Sequence, residues 1–222
     1  MTDSTNPYSK DEIREEYNNA ASASSEHEMV KWGSRNSMIN RFRLVLNRID
    51  FSTISSWLDV GCGTGAFQQM VYSSQNTPPK GIAIDISDEL IKFAEKRVEH
   101  PNCEFRCVDF LSLENTQIEL ITAIGVLQKT NIAVDHFFER SSELLSSGGK
   151  IFVDTKHLGW EKFDQPNFSP EPNHRWFNVE DITIPAEQAG FEVLETNGFL
   201  PRENQVVSPE KSHSMFLIIE KE

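Results

Sequence analysis

The chain has 222 residues, 38% of them apolar and 25% charged, a balance that fits a folded soluble protein and excludes a disordered one. Its 21 Lys and Arg against 34 Asp and Glu leave a net charge of −13, which would repel a phosphate backbone and argues against nucleic acid as a partner. No apolar run approaches the roughly 18 residues of a membrane span, and the start Met1-Thr2-Asp3-Ser4 lacks a secretory pattern. Cys62, Cys103 and Cys107 are too few for a disulfide framework and lack the His companions of a zinc set. The expectation is a cytoplasmic protein with no membrane contact and no metal.

Residues 1 to about 10 are polar and read as a frayed lead. From residue 10 to about 48 the pattern is helical. Ile13, Tyr17 and Ala20 share one face, and Met38, Phe42, Val45, Leu46 and Ile49 mark a second stretch beyond a bend over residues 22–27. From residue 51 strands alternate with helices. Trp57-Leu58-Asp59-Val60 is a short strand ending in a glycine cluster, and residues 66 to about 74 are helical. Residues 81–85 form a second strand, after which Ser87 caps a helix running to residue 100 with Leu90, Ile91, Ala94 and Val98 inward. Strands over 105–108 and 120–125 follow, then a helix over about 134–145. Gly148-Gly149 turns the chain into a fifth strand over 150–154. A helix over 181–189, stopped by Gly190, precedes strands over 191–200 and 214–221 that have no helix between them. Strands separated by helices pair parallel, whereas two consecutive strands pair antiparallel, so the fold class is α/β: a doubly wound, mostly parallel sheet with an antiparallel C-terminal edge strand.

The segment Leu58-Asp59-Val60-Gly61-Cys62-Gly63-Thr64-Gly65 joins a strand to a helix, where an open α/β sheet receives its ligand. Glycines let the backbone turn tightly and a ligand lie against it, and the helix N-terminus behind them offers free N–H groups. Gly61, Gly63 and Ala66 satisfy G-x-G-x-x-A, the dinucleotide spacing, while Gly65 adds G-x-G-x-G. Asp59 discriminates between nucleotide ligands, since a carboxylate beside the loop opposes a pyrophosphate but can receive an ammonium group. Asp85 ends the second strand, where one carboxylate can bond both ribose hydroxyls.

On these residues the chain resembles the class I S-adenosylmethionine-dependent methyltransferases over roughly residues 55 to 222. Residues 58–65 look like that family's first motif, and Ala83-Ile84-Asp85-Ile86-Ser87 like its second. Val108-Asp109-Phe110 resembles the segment after the third strand, Ile124-Gly125-Val126-Leu127-Gln128 that after the fourth, and residues 145–150 the turn before the fifth. The resemblance implies a Rossmann-like fold and a cofactor set of Asp59, Gly61, Cys62, Gly63, Gly65, Asp85, Ile86, Asp109, Phe110, Gly125 and Leu127. Asp85 would hold the ribose, Ile86 and Phe110 would flank the adenine, and Asp109 would accept its amino group. The product would be S-adenosylhomocysteine.

The division expected is a helical N-terminal cap over residues 1–50 and a methyltransferase domain over 51–222, with an aromatic insert over about 156–178. Candidate substrate residues are Tyr17, Trp32 and Arg35 in the cap, Gln128 after the fourth strand, and Trp160 and Trp176 in the insert, where Phe163, Phe168 and Phe177 add to a planar or apolar cover. His157 and His174 are the candidate bases. The expected activity is methyl transfer to a hydroxyl, or an amine, of a small molecule. Two rivals stand beside it: a nicotinamide-dependent oxidoreductase using the same loop, and a non-catalytic protein that binds the cofactor and acts through a partner.

Overall fold

The computed structural model describes residues 9–171 and 173–222, so most of the polar lead expected at the N-terminus lies outside the described residues. Eight strands form one sheet: β1 Ser56–Val60, β2 Lys80–Asp85, β3 Cys103–Cys107, β4 Ile118–Ile124, β5 Leu145–Lys156, β6 Phe191–Leu200, β7 Gln205–Val207 and β8 Ser214–Lys221. Their order is β3-β2-β1-β4-β5-β8-β6-β7. Strands β3 through β5 pair parallel, and β8 pairs antiparallel with both β5 and β6. The chain winds outward from β1 to β3 and then returns to β4. A crevice therefore opens between the carboxyl ends of β1 and β4, where the strand order reverses.

Seven α-helices accompany the sheet among the described residues: α1 Lys10–Ala20, α2 Glu26–Met29, α3 Arg35–Arg48, α4 Ala66–Ser74, α5 Asp88–Arg97, α6 Val134–Leu144 and α7 Glu180–Gln188. Strand alternation divides the core between the two faces of the sheet. Leu58, Val60, Ile151, Val153, Leu217 and Ile219 pack with Phe137 and Phe138 of α6 and Ile182 of α7. Trp57, Leu120, Phe152, Phe216 and Ile218 pack on the other face with Met38 and Val45 of α3 and Phe67 of α4. Leu120, Ile121, Thr122 and Ala123 of β4 have no exposed surface, as a strand covered on both faces requires.

Several boundaries differ from the sequence expectation. Helix α5 ends at Arg97 rather than residue 100, because Val98 is already extended and Pro101 disfavours helix at the residue before it. Gly148 and Gly149 lie inside β5, which begins at Leu145 and meets β4 with a shift in register between Ile118 and Leu120. The antiparallel part is wider than one edge strand. β8 sits between β5 and β6, and the short β7, three residues with no clear periodicity, makes the edge. In the N-terminal segment Ser25 and Glu28 form a capping box that starts α2 inside the expected bend.

Candidate functional site

The turn after β1 is set by glycines. Gly61, Gly63 and Gly65 have φ of 73°, 54° and 72°, a region that L side chains adopt only with strain. The Gly61 and Cys62 N–H groups donate to Ile84 O at 2.8 and 2.9 Å, tying the turn to β2. A Cβ at Gly61 would lie 2.6 Å from Val126 Cγ2, and one at Gly63 only 2.7 Å from Val30 Cγ1. Asp85, at the end of β2, closes the turn from the other side. Its Oδ2 accepts from Gly63 N and its Oδ1 from Ser87 N, both at 2.9 Å. A carboxylate has about four acceptor positions, so each oxygen can still take a further donor. Burial pushes the Asp85 carboxyl above its ordinary range despite these bonds.

Asp59 is buried at the floor of the crevice. It accepts from Thr122 Oγ1 and, at 2.6 Å, from Gln68 Nε2, while Trp57 Nε1 donates to Thr122 at 2.8 Å. All four side chains lie on the α4 side of the sheet. Burial raises Asp59 to about 7, the two hydrogen bonds opposing that rise. Along the same rim, Asp109 accepts from Leu111 N at 2.8 Å and pairs with Lys10 Nζ at 3.1 Å. Phe110 packs against Phe137 with ring centroids 5.1 Å apart and the planes tilted by 34°. Gly125, at φ 71°, lies directly beneath the Trp32 ring, whose Cη2 is 2.5 Å from where a Cβ would be.

These groups line one cleft of about 310 Å³. Of the residues singled out in the sequence, Asp59, Gly61, Cys62, Gly63, Asp85, Ile86, Asp109, Phe110 and Gly125 border it, as do Tyr17, Trp32, Gln128 and His174. The remainder lie elsewhere. Gly65 caps α4 and faces Ala94 and Phe105, so it shapes the turn without walling the cleft. Leu127 is wholly buried in the core under α6. Arg35 is exposed in the first turn of α3. Trp160 and Trp176 pack with Phe163 and Phe168 at centroid distances of 5.1 to 5.5 Å, giving the insert its own small core in place of a cover over the cleft. Phe177 belongs to the main core. His157 is buried with Nδ1 2.8 Å from Pro209 O and 3.3 Å from Ser212 O, which fixes it in the structure away from the cleft.

The cleft is bounded also by residues the sequence reading passed over. Arg41 of α3 is 4% exposed. Its Nη2 donates to Ser214 Oγ at 2.8 Å, its Nη1 lies 3.5 Å from Asp154 Oδ2, and its guanidinium stands 4.7 Å over the Trp32 ring. Lys156, at the end of β5, pairs with Glu171 at 3.1 Å. Lys129, His213 and Arg202 complete this end. Burial, reinforced by Lys129, takes the His174 imidazole down to about 3, and burial with Lys156 takes His213 to about 4. Both rings are therefore neutral near pH 7. Burial and the neighbouring Lys31 lower Lys129 to about 8.

The N-terminal helices are stitched to this floor. Thr64 Oγ1 donates to Glu26 at 2.8 Å, and Arg97 bonds both Glu26 and Thr64 O. Asn18 bonds Ser87 and Asp88 at the start of α5, and Glu16 holds Lys31 and, at 3.1 Å, Asn173 of the insert. Tyr17 is thereby held near Asp85, and burial raises its phenol further above the ordinary range. Among the described residues no group of three or more His, Cys, Asp or Glu could hold a metal ion, and no helix is long and apolar enough to cross a membrane.

Residues 54–183 match the family described as Methyltransferase domain, which is more than half of the chain. The malonyl-[acyl-carrier protein] O-methyltransferase of Acetivibrio thermocellus is 29% identical over 133 residues, covering 59% of this chain and 45% of that protein. An uncharacterized methyltransferase of Emericella nidulans is 26% identical over 165 residues, covering 64% of this chain and 58% of that one. The chain thus spans about half the length of these curated relatives. In fold it is similar to the N-methyltransferase NodS of Bradyrhizobium japonicum, solved with S-adenosyl-L-homocysteine. The TM-score is 0.69 at 14% identity, with 94% of this chain and 98% of that one covered.

Proposed function

Given that this chain belongs to the methyltransferase-domain family, of the class I kind that uses S-adenosylmethionine, we propose that it binds S-adenosylmethionine over the glycine turn and methylates a hydroxyl, or an amine, of a small molecule in the cytoplasm. The observation that carries this reading is the convergence on one cleft of Gly61, Gly63, Asp85, Asp109 and Gly125 beneath a helical cap. The residues fit the cofactor. Two turns at positive φ leave backbone without Cβ, and Asp85 keeps acceptor capacity for two ribose hydroxyls. Asp109 offers a carboxylate to an exocyclic amine beside the Phe110 and Ile86 side chains. The acids at this end also suit a cofactor that is cationic at sulfur and at its amino group.

When bound, the cofactor supplies a sulfonium-borne methyl group. The chain's own part is positioning and exclusion of water. Trp32 over Gly125 and Val30 against Gly63 cover the cleft, which favours holding two reactants at near-attack distance in a dry site. His174 borders the cleft with a buried Nδ1 that has no hydrogen-bond partner, so it can accept a hydrogen bond from an acceptor hydroxyl. Lowered to about 3, it is too weak a base to keep the proton, which leaves to solvent. An amine acceptor would be bound in its neutral form and needs no base. His157, held by two carbonyls, takes no part.

Calorimetric titration with S-adenosylmethionine, S-adenosylhomocysteine and NAD tests the reading. Micromolar binding of the first two and none of NAD is expected. Binding of NAD alone would return the oxidoreductase reading, and absence of all three would return the partner-binding one.

A further inference from the structure

The turn that follows β4 has a firmly held main chain and side chains left unmet. Lys129 N and Thr130 N both donate to Val126 O, at 2.8 and 3.1 Å, and Arg175 N donates to Gln128 O at 2.9 Å. Arg175, itself buried, adds bonds from Nη1 to Thr130 O at 3.1 Å and Ile132 O at 2.6 Å. The insert thus clamps the turn. Gln128 is 4% exposed and borders the cleft, yet its Oε1 is buried without a hydrogen-bond partner. Thr130 Oγ1 on the same turn and His174 Nδ1, one residue before the clamp, also border the cleft and are likewise buried and unbonded. Buried polar atoms are ordinarily bonded, so three unbonded ones around one cleft mark where the polar atoms of a ligand belong.

The chemistry of the three groups selects that ligand. A carboxamide, a hydroxyl and a neutral imidazole each donate and accept, and none is charged. Burial keeps His174 in this neutral form near pH 7. The ionised groups around them are already matched: Lys31 with Glu16, Arg41 with Asp154 at 3.5 Å, and Lys156 with Glu171 at 3.1 Å. An ionised ligand would add an unmatched charge to these pairs. An uncharged group that donates and accepts would fill the three atoms and leave every pair intact. Gln128 has the central place. It is the most deeply buried of the three, and its Nε2 lies 3.2 Å from where a Gly125 Cβ would stand, beside the Trp32 ring.

We infer that Gln128, with Thr130 and His174, forms a subsite for an uncharged group that both donates and accepts hydrogen bonds, a carboxamide or a hydroxyl carried by the methyl acceptor. The inference rests on the methyl-transfer reading above for the identity of the occupant as acceptor. The two groups share this chemistry and differ in shape, which the experiment separates.

The test is a ligand-observed NMR titration of the protein, with and without saturating S-adenosylhomocysteine, using benzamide, benzyl alcohol, benzoate and the cationic benzylamine. The ring is common to all four, so differences report the polar group. Benzamide or benzyl alcohol should bind at least about tenfold more tightly than either ion, and the tighter of the two assigns a carboxamide or a hydroxyl. Gln128→Met keeps the length of the side chain and removes its amide. It should weaken that probe about tenfold while S-adenosylhomocysteine still binds. Thr130→Val should weaken the probe about threefold and gives the readout should Gln128→Met fail to fold. No binding of either uncharged ring, an ion binding as tightly as they do, or unchanged binding to the folded variants would overturn the subsite. Displacement of the uncharged probe by S-adenosylhomocysteine would assign Gln128 to the cofactor and overturn it as well. Probe binding without any S-adenosylhomocysteine binding would keep the subsite and overturn the methyl-transfer reading instead.

Discussion

The two ends of the cleft are built by different means. The end over β1 and β2 is made of backbone: turns at Gly61 and Gly63, with Asp59, Asp85 and Asp109 beside them. The end beyond β4 and β5 is made of side chains brought together from distant segments, Arg41, Lys156, His174 and His213 among them. Backbone geometry is specified by a few contiguous residues, because only glycine adopts those dihedrals without strain. A converging set of side chains has no local grammar. The first end can be shared across a whole fold, whereas the second is particular to this chain's side chains.

Substitutions can break the contrast or sharpen it. The largest effect is expected of Gly63→Val, which combines a positive φ with a Cβ 2.7 Å from Val30. Titration should detect no S-adenosylmethionine binding by the folded variant. Binding at the wild-type affinity would remove the glycine turn from the cofactor site. Asp85→Ala should cost about 1–3 kcal/mol of cofactor affinity through lost charged hydrogen bonds, and unchanged affinity would remove Asp85 from the cofactor site.

Stability against pH distinguishes the ends by sign. Asp59 rises from 3.8 to about 7 on folding, so the native state holds the extra proton and stability falls as pH climbs through that window. His174 drops from 6.5 to about 3, so the unfolded state holds the proton and stability rises with pH up to 6.5. In urea melts at stepped pH, Asp59→Asn should gain on the wild type as pH rises, and His174→Gln should gain as pH falls. Parallel shifts in the two variants would erase the distinction. The smallest effect is expected of Thr64→Val, which removes one member of the partly exposed Glu26–Arg97 cluster, at about 0.5–1 kcal/mol in the same melts.

The same contrast explains what the amino-acid sequence revealed. The parallel sheet, the antiparallel C-terminal strands and the glycine turn were legible because strand runs, helix caps and glycines act locally. The end beyond β4 and β5 was not. Arg41 sits in an amphipathic helix where an arginine reads as solvent-facing, and only the approach of β5 and β8 buries it. His157 drew attention as a histidine beyond a strand end, but the pleat of β5 gives Phe152, Asp154 and Lys156 to one face and its neighbours to the other. Lys156 therefore meets the cleft and His157 meets Pro209 O. The aromatic insert misled for a related reason. Its rings bury surface most cheaply against each other, so composition alone did not reveal which way they turn.

One contact changes how the glycines themselves are to be understood. Val30 and Trp32 occupy the space where side chains at Gly63 and Gly125 would stand. These positions thus seat the protein's own cover as well as any ligand. A methyl group added at either would push on the N-terminal segment first, and the disturbance would surface as new protease cleavage around residues 21–25, far along the chain from the altered turn. Tolerance at these two glycines is set by how the molecule closes over its cleft.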